Sequence, residues 1–241
     1  MPPTMKDALC APGEDVAILF ARAPVPGQVK TRLIDSGPQR LNAEQACALH
    51  VACTGDVADL LDRALPSARK WLFWSKAPRA EHPLAGLRLP SSFGITLQSG
   101  LDLGERMGRA LERALRSEAA RVLLVGSDSP TLPEAYLQQA LELLDTSDVV
   151  LGPSEDGGFY LIACRRFDRG LFNEVEWGGP EVSARTQNNA RRLGISLGIL
   201  PLWYDLDQWS NVERMIEESH AGTPLPSRLA EFFGASNTLS S

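Results

Sequence analysis

Four short segments carry residues whose types and spacing suit the handling of phosphates and sugars. The first, residues 21–33, holds Arg22, Lys30 and Arg32 with no acid between Asp15 and Asp35, and Pro24, Pro26 and Gly27 shape it as a loop. Cations grouped in this way can hold a pyrophosphate and offset the charge that builds on a leaving group. A solvated basic loop is the plainer alternative. In the second, the apolar run Val122–Val125 leads straight into Gly126-Ser127-Asp128-Ser129-Pro130. Asp128 then emerges at a strand's end, and its hard oxygens suit Mg²⁺ or Mn²⁺ shared with substrate phosphates. A turn or cap ahead of Glu134 explains it as well. The third is Glu155-Asp156-Gly157-Gly158. Its carboxylates could bind sugar hydroxyls or accept a proton, and its glycines leave room for a ligand. Taken alone, it reads first as an Asp-Gly hairpin turn. In the fourth, Asp205 and Asp207 would share one face of an extended segment, as a second metal contribution or as solvated polar residues. Asp102, Gly104, Glu105 and Arg106 open a helix whose N-terminus can attract an anion, although capping alone accounts for Asp102 and Glu105.

These segments need a scaffold, and the apolar periodicity supplies one. Strands are predicted at Val16–Phe20, Trp71–Trp74, Ile95–Gln98, Val122–Val125, Val149–Leu151, Phe159–Ala163 and Ile195–Leu200. Helical spacing predicts Asn42–Leu65, Leu103–Leu115, Ala135–Leu144, a helix around Glu181–Leu193 and a last one over Asn211–Ser219. Alternation of this kind implies one α/β domain, a mostly parallel mixed sheet with helices on both faces. The basic loop and Asp128 both follow predicted strands, which places them at the carboxyl edge where open α/β sheets bind ligands. The domain is expected to span 15–221, with 1–14 and 222–241 loosely attached and 83–90 a loop.

Bulk composition narrows the class. With 241 residues, 44% hydrophobic and 22% charged, the chain can bury a full core. A net charge of −6 argues against a duplex nucleic-acid partner while leaving room for a basic pocket. Cys10, Cys47, Cys53 and Cys164 form no Cys-x-x-Cys pair, and His50, His82 and His220 are scattered, so a structural zinc site is not expected. The opening residues lack the apolar stretch of a signal peptide, and no run is long enough for a membrane span. A cytoplasmic protein is expected.

Taken in order, Phe20-Ala21-Arg22-Ala23-Pro24 through Lys30-Thr31-Arg32-Leu33, Asp102-Leu103-Gly104-Glu105-Arg106-Met107, Gly126-Ser127-Asp128-Ser129-Pro130, Gly152-Pro153 with Asp156-Gly157-Gly158-Phe159-Tyr160-Leu161, and Asp205-Leu206-Asp207 form a far more specific series than any one of them. The series resembles a bacterial family of largely uncharacterised glycosyltransferase-like proteins. That family is similar to 2-phospho-L-lactate guanylyltransferase and the molybdenum-cofactor guanylyltransferases. The resemblance runs from about Asp15 to Ser219. It implies a GT-A, nucleotide-diphosphosugar-transferase-like fold in which Phe159–Ala163 runs antiparallel. It also implies that Arg22, Pro26, Gly27, Lys30 and Arg32, with Asp102, Gly104 and Arg106, serve the nucleotide and its phosphates. Asp128 would bind Mg²⁺ or Mn²⁺ with Asp207, ahead of Asp205, as partner. Glu155, Asp156, Gly157 and Gly158 would line the acceptor or sugar side, with Asp156, Lys30 and Asp128 catalytic. Two features depart from related patterns: Ser127-Asp128-Ser129 stands where glycosyltransferases carry Asp-x-Asp, and the first loop lacks Gly-x-Gly-x-Arg. The leading expectation is a metal-dependent glycosyltransferase that takes a nucleotide-sugar and a small-molecule acceptor. The alternatives are a nucleotidyltransferase joining a nucleoside triphosphate to a phosphorylated metabolite, and an inactive nucleotide-binding protein.

Overall fold

A computed structural model of the chain describes residues 8–34, 41–75 and 86–235. In chain order the elements are β1 (Val16–Ala21), α1 (Ala43–Ala64), β2 (Arg69–Trp74), β3 (Phe93–Leu97), α2 (Leu103–Arg116), β4 (Val122–Gly126), α3 (Glu134–Leu143), β5 (Val149–Pro153), β6 (Phe159–Cys164), α4 (Val182–Arg192), β7 (Leu197–Ile199), α5 (Trp209–His220) and α6 (Ser227–Ala235). Short 3-10 turns lie at Thr31–Leu33 and Arg169–Phe172.

The seven strands form one sheet in the order β3-β2-β1-β4-β6-β5-β7. β1 pairs in parallel with both β2 and β4, while β6 runs antiparallel between β4 and β5. The mixed sheet and the antiparallel β6 are therefore as expected. β1 is buried along its whole length because its alternating side chains enter two cores. Ala17, Leu19 and Ala21 pack under α1 and α3, whereas Val16, Ile18 and Phe20 pack under α2 and α4. After β1 the chain builds outward through β2 and β3, then returns to place β4 on β1's other side. The switch point between β1 and β4 opens a crevice at their carboxyl ends, and the basic loop and Asp128 leave the sheet there.

Three expectations need correction. The chain beyond 221 is not all loosely attached: Leu229 and Phe233 of α6 are buried in a third core with Leu49, Cys53, Tyr204 and Met215. The start of α6 is held by Asp56 of α1, whose carboxylate accepts from Arg228 N and Leu229 N, both at 3.0 Å. Arg228 adds an ion pair to Asp59. At the other end, Leu9 is buried, its N–H donates to Ser117 Oγ at 3.0 Å, and its carbonyl accepts from Trp71 Nε1 at 2.8 Å. Residues 1–7, 35–40, 76–85 and 236–241, with Asp35, His82 and part of the 83–90 loop, lie outside the described residues. Second, Asp205 and Asp207 are not on an extended strand, because Asp207 N donates to Asp205 O at 2.9 Å in a tight turn. Third, capping does not account for Asp102 and Glu105 together. Asp102 caps α2 by accepting from Glu105 N at 2.8 Å, but the Glu105 carboxylate takes Leu101 N at 2.7 Å.

The Asp56 cap gives a direct test of the α6 attachment. Asp56→Ala strips the acceptor from two N–H groups at a buried helix start and is expected to cost about 1–2 kcal/mol. Thermal unfolding checks the loss, and faster amide exchange confined to 227–235 would locate it.

Candidate functional site

Lys30 is the centre of the site. It sits in the left-handed backbone region (φ 49°, ψ 34°) just before the turn Thr31–Leu33, and its side chain is only 1% exposed. Its Nζ contacts Asp128 Oδ1 and lies 3.0 Å from Asp207 Oδ1. Asp128 arrives from the end of β4. Asp207 arrives from the turn after β7, which is fastened to the same strand end by Leu206 N donating to Asp128 O at 2.8 Å. Both carboxylates remain more than a third exposed, so they present their other side to the cleft.

Electrostatics follow from that arrangement. Burial disfavours the Lys30 ammonium, but Asp128 and Asp207 outweigh it and hold its pKa well above the ordinary lysine value. Burial likewise works to raise the Asp128 pKa, and the Lys30 charge first, with His50 and Arg22 nearby, overcomes it and keeps the carboxylate ionised. Asp205, packed against Ser129, is pushed up to about 7 by burial and by the nearby Asp128 charge. His50 of α1 is buried, and burial lowers its pKa. Its Nε2–H donates to the Arg22 carbonyl at 2.9 Å, an assignment that follows because a carbonyl can only accept.

Two clefts share this centre. One, of about 280 Å³, is lined by Arg22, Val29, Lys30, Thr31, Arg32, His50, Asp128 and Asp207. Its neighbour, of about 210 Å³, is lined by Arg32, Glu155, Asp156, Asp205, Asp207, Gln208, Ser210 and Asn211. Arg32 and Asp207 belong to both, so one ligand can reach from the cationic side to the acidic side. The turn between β5 and β6 supplies Glu155 and Asp156. Asp156 Oδ1 accepts from Ser154 Oγ at 2.5 Å and Gly158 N at 2.9 Å, while Arg214 pairs with Glu155 at 2.8 Å. The Asp-Gly hairpin reading therefore describes the local geometry, and the turn also borders the cleft.

Other candidates lie elsewhere. Pro26 and Gly27 are exposed and line neither cleft. Asp102 and Gly104 line a separate cavity of about 360 Å³ on the α2 side of the sheet, with Arg169, Phe172, Glu174 and Trp177. Gly104 has a packing reason to be glycine, since a Cβ there would come within 2.7 Å of the Trp177 ring. Arg106 turns back onto the Gly100 carbonyl at 3.1 Å. His50 was not singled out as a site residue from sequence, and neither were Gln208, Ser210 and Asn211. The first is one buried position in a long helix, and the others are ordinary residues at a helix start, so no local pattern marks them.

Residues 39–179 match the model of a family described as uncharacterized proteins conserved in bacteria, DUF2064. The chain belongs to this family. Among solved structures, it resembles a presumed nucleotide-diphospho-sugar transferase from Desulfovibrio desulfuricans G20, with 29% identity and a TM-score of 0.81 over 94% of this chain and 96% of that one. It also resembles a CMP:2-keto-3-deoxy-manno-octonic acid synthetase complexed with CTP, at 12% identity and TM-score 0.52, covering 87% of this chain and 99% of that one. The bifunctional IspDF from Campylobacter jejuni matches at 10% identity and TM-score 0.51, over 84% of this chain and 54% of that one. The last two likenesses are in fold alone. No curated protein matches the chain. This DUF2064 member therefore has the nucleotide-diphosphosugar-transferase fold. No helix among its described residues is long and apolar enough to cross a membrane.

Proposed function

We propose that this DUF2064 protein is a transferase that moves a sugar from a nucleotide-sugar donor to a small-molecule acceptor. The observation that carries the reading is the pair of joined clefts: a cationic one fit for a diphosphate, and an acidic one beside it with room for a sugar or acceptor. The similarity to the Desulfovibrio desulfuricans protein supports it. In this reading Arg22, Lys30 and Arg32 hold the donor's phosphates and stabilise the departing nucleoside diphosphate. Asp156, at the open turn beside Gly157 and Gly158, orients the acceptor hydroxyl and takes its proton. His50 keeps the Arg22 backbone in place behind the phosphates.

A divalent cation fits the same residues. The Oδ1 atoms of Asp128 and Asp207 converge on one ammonium nitrogen, so they are spaced to share a small cation. Among the described residues, no three His, Cys, Asp or Glu form a ready cage, which suits an ion held jointly with phosphate oxygens. Mg²⁺ or Mn²⁺ bound there would neutralise charge on the diphosphate. Asp128 and Asp207 would be its ligands, and the Asp205 carboxyl, held by Ser129 and raised in pKa, is the weaker candidate.

One feature favours a second reading, nucleotidyl transfer. The acidic pair is split between a strand end and a late turn, and β4 carries no second acid at Ser127 or Ser129. The deciding experiment supplies metal with sugar nucleotides and an acceptor pool, and separately with nucleoside triphosphates and phosphorylated metabolites. Acceptor-dependent release of nucleoside diphosphate, lowered in Asp156→Asn, is the expected result. Pyrophosphate release in the second mixture alone would establish nucleotidyl transfer instead. Calorimetry adds the metal test: nucleotide affinity should fall with EDTA, and equal affinity with and without it would refute a bridging ion.

A further inference from the structure

We infer that Lys30 is a built-in counter-cation at the Asp128–Asp207 pair, filling in the nucleotide-free protein the gap that a divalent ion would enter once a nucleotide draws the ammonium away. The inference rests on reading Asp128 and Asp207 as cation ligands. It adds that the site is latched against metal alone.

The latch follows from geometry. Lys30 Nζ meets Oδ1 of both carboxylates, and its side chain is shut off from water while theirs open to the cleft. Two carboxylates brought this close repel each other unless a positive charge stands between them, and here that charge is the lysine's. An ion seeking the same oxygens must displace the ammonium or bind beside it against its repulsion. A lone dication offers the displaced Lys30 nothing, because a buried ammonium without an anion is costly. A nucleotide changes the balance, since its phosphates enter the cleft that Lys30 already lines and give the ammonium new anionic partners. The backbone supports a side chain held by its partners. Among the described residues, Lys30 is one of three non-glycine residues with positive φ, and such a conformation persists where the surroundings over-determine it. Metal and nucleotide should then bind as a coupled pair, each raising the other's affinity equally.

The test uses Mn²⁺ alone, titrated into nucleotide-free protein and followed by the electron paramagnetic resonance signal of the free ion. Wild type is expected to bind weakly. Lys30→Met is expected to bind at least about tenfold tighter, because the metal-competent state no longer has to be released from the latch. That gain should vanish in Lys30→Met/Asp207→Asn. If Lys30→Met does not fold, Lys30→Gln, which retains amide donors without the charge, is read in the same way. Should the lysine variants bind Mn²⁺ no better than wild type while wild type binds it with nucleotide, the latch is wrong and the metal site stands. If no variant binds Mn²⁺ with or without nucleotide, the metal site itself is wrong and the latch falls with it.

Discussion

Asp128→Asn is expected to weaken metal-dependent nucleotide binding by about 100-fold or more, while costing the fold only about 1–3 kcal/mol. The two effects separate because Asp128 faces two ways. Toward the protein it accepts from Lys30, and an asparagine oxygen can still accept that bond. Lys30 also keeps Asp207 at 3.0 Å, so the buried ammonium is not stranded. Toward the cleft, the carboxylate is 41% exposed and held ionised by Lys30, His50 and Arg22. A neutral amide there is a poor ligand for a hard cation and leaves the cleft more positive. Calorimetry with nucleotide and Mg²⁺, beside thermal unfolding, measures both. Unchanged affinity with a large loss of melting temperature would mean that Asp128 is structural.

The scaffold was legible for a physical reason that the site only partly shares. Each strand is a short apolar run, and each helix from α1 to α5 has a stripe facing one of three cores, so local pattern suffices to find β1 through β7 and α1 through α5. α6 was missed because nothing local announces it. It is short, follows Pro224 and Pro226, and depends on Asp56, which is 172 positions from Arg228. The site divides in the same way. Arg22, Lys30 and Arg32 stand close together in sequence, and Asp128 closely follows the apolar strand β4, so their residue types could be noticed. That Lys30 would lie between Asp128 and Asp207 could not, since those partners are 98 and 177 positions away. Segment order does not by itself place α2. Asp102, Gly104 and Arg106 look like part of the same constellation, yet the sheet order puts β3 at the edge, and α2 serves a cavity walled by Trp177.

Gly157→Ala is expected to cost about 2–5 kcal/mol and to remove the acidic cleft's wall while sparing the cationic one. Two separate penalties meet at this position. Its φ of 88° lies where an L side chain is strained, and a Cβ would stand 1.8 Å from the Pro180 carbonyl oxygen. That neighbour is backbone, so no rotamer change relieves the clash. The contact is also tied down, because Ser183 N donates to Gly157 O at 2.9 Å at the start of α4. The turn would have to lift away from Pro180 and carry Glu155 and Asp156 with it. Lys30, Asp128 and Asp207 belong to other segments and should stay, so nucleotide affinity should hold while acceptor-dependent turnover drops at least about tenfold. Gly178 separates the two penalties. It shares a φ of 88°, but a Cβ there meets nothing within 4 Å, so Gly178→Ala carries the backbone strain alone, about 1 kcal/mol. Thermal unfolding of the two variants side by side therefore isolates the clash with Pro180. Equal losses of stability would show that the turn can move freely, and that its position does not set the shape of the acidic cleft.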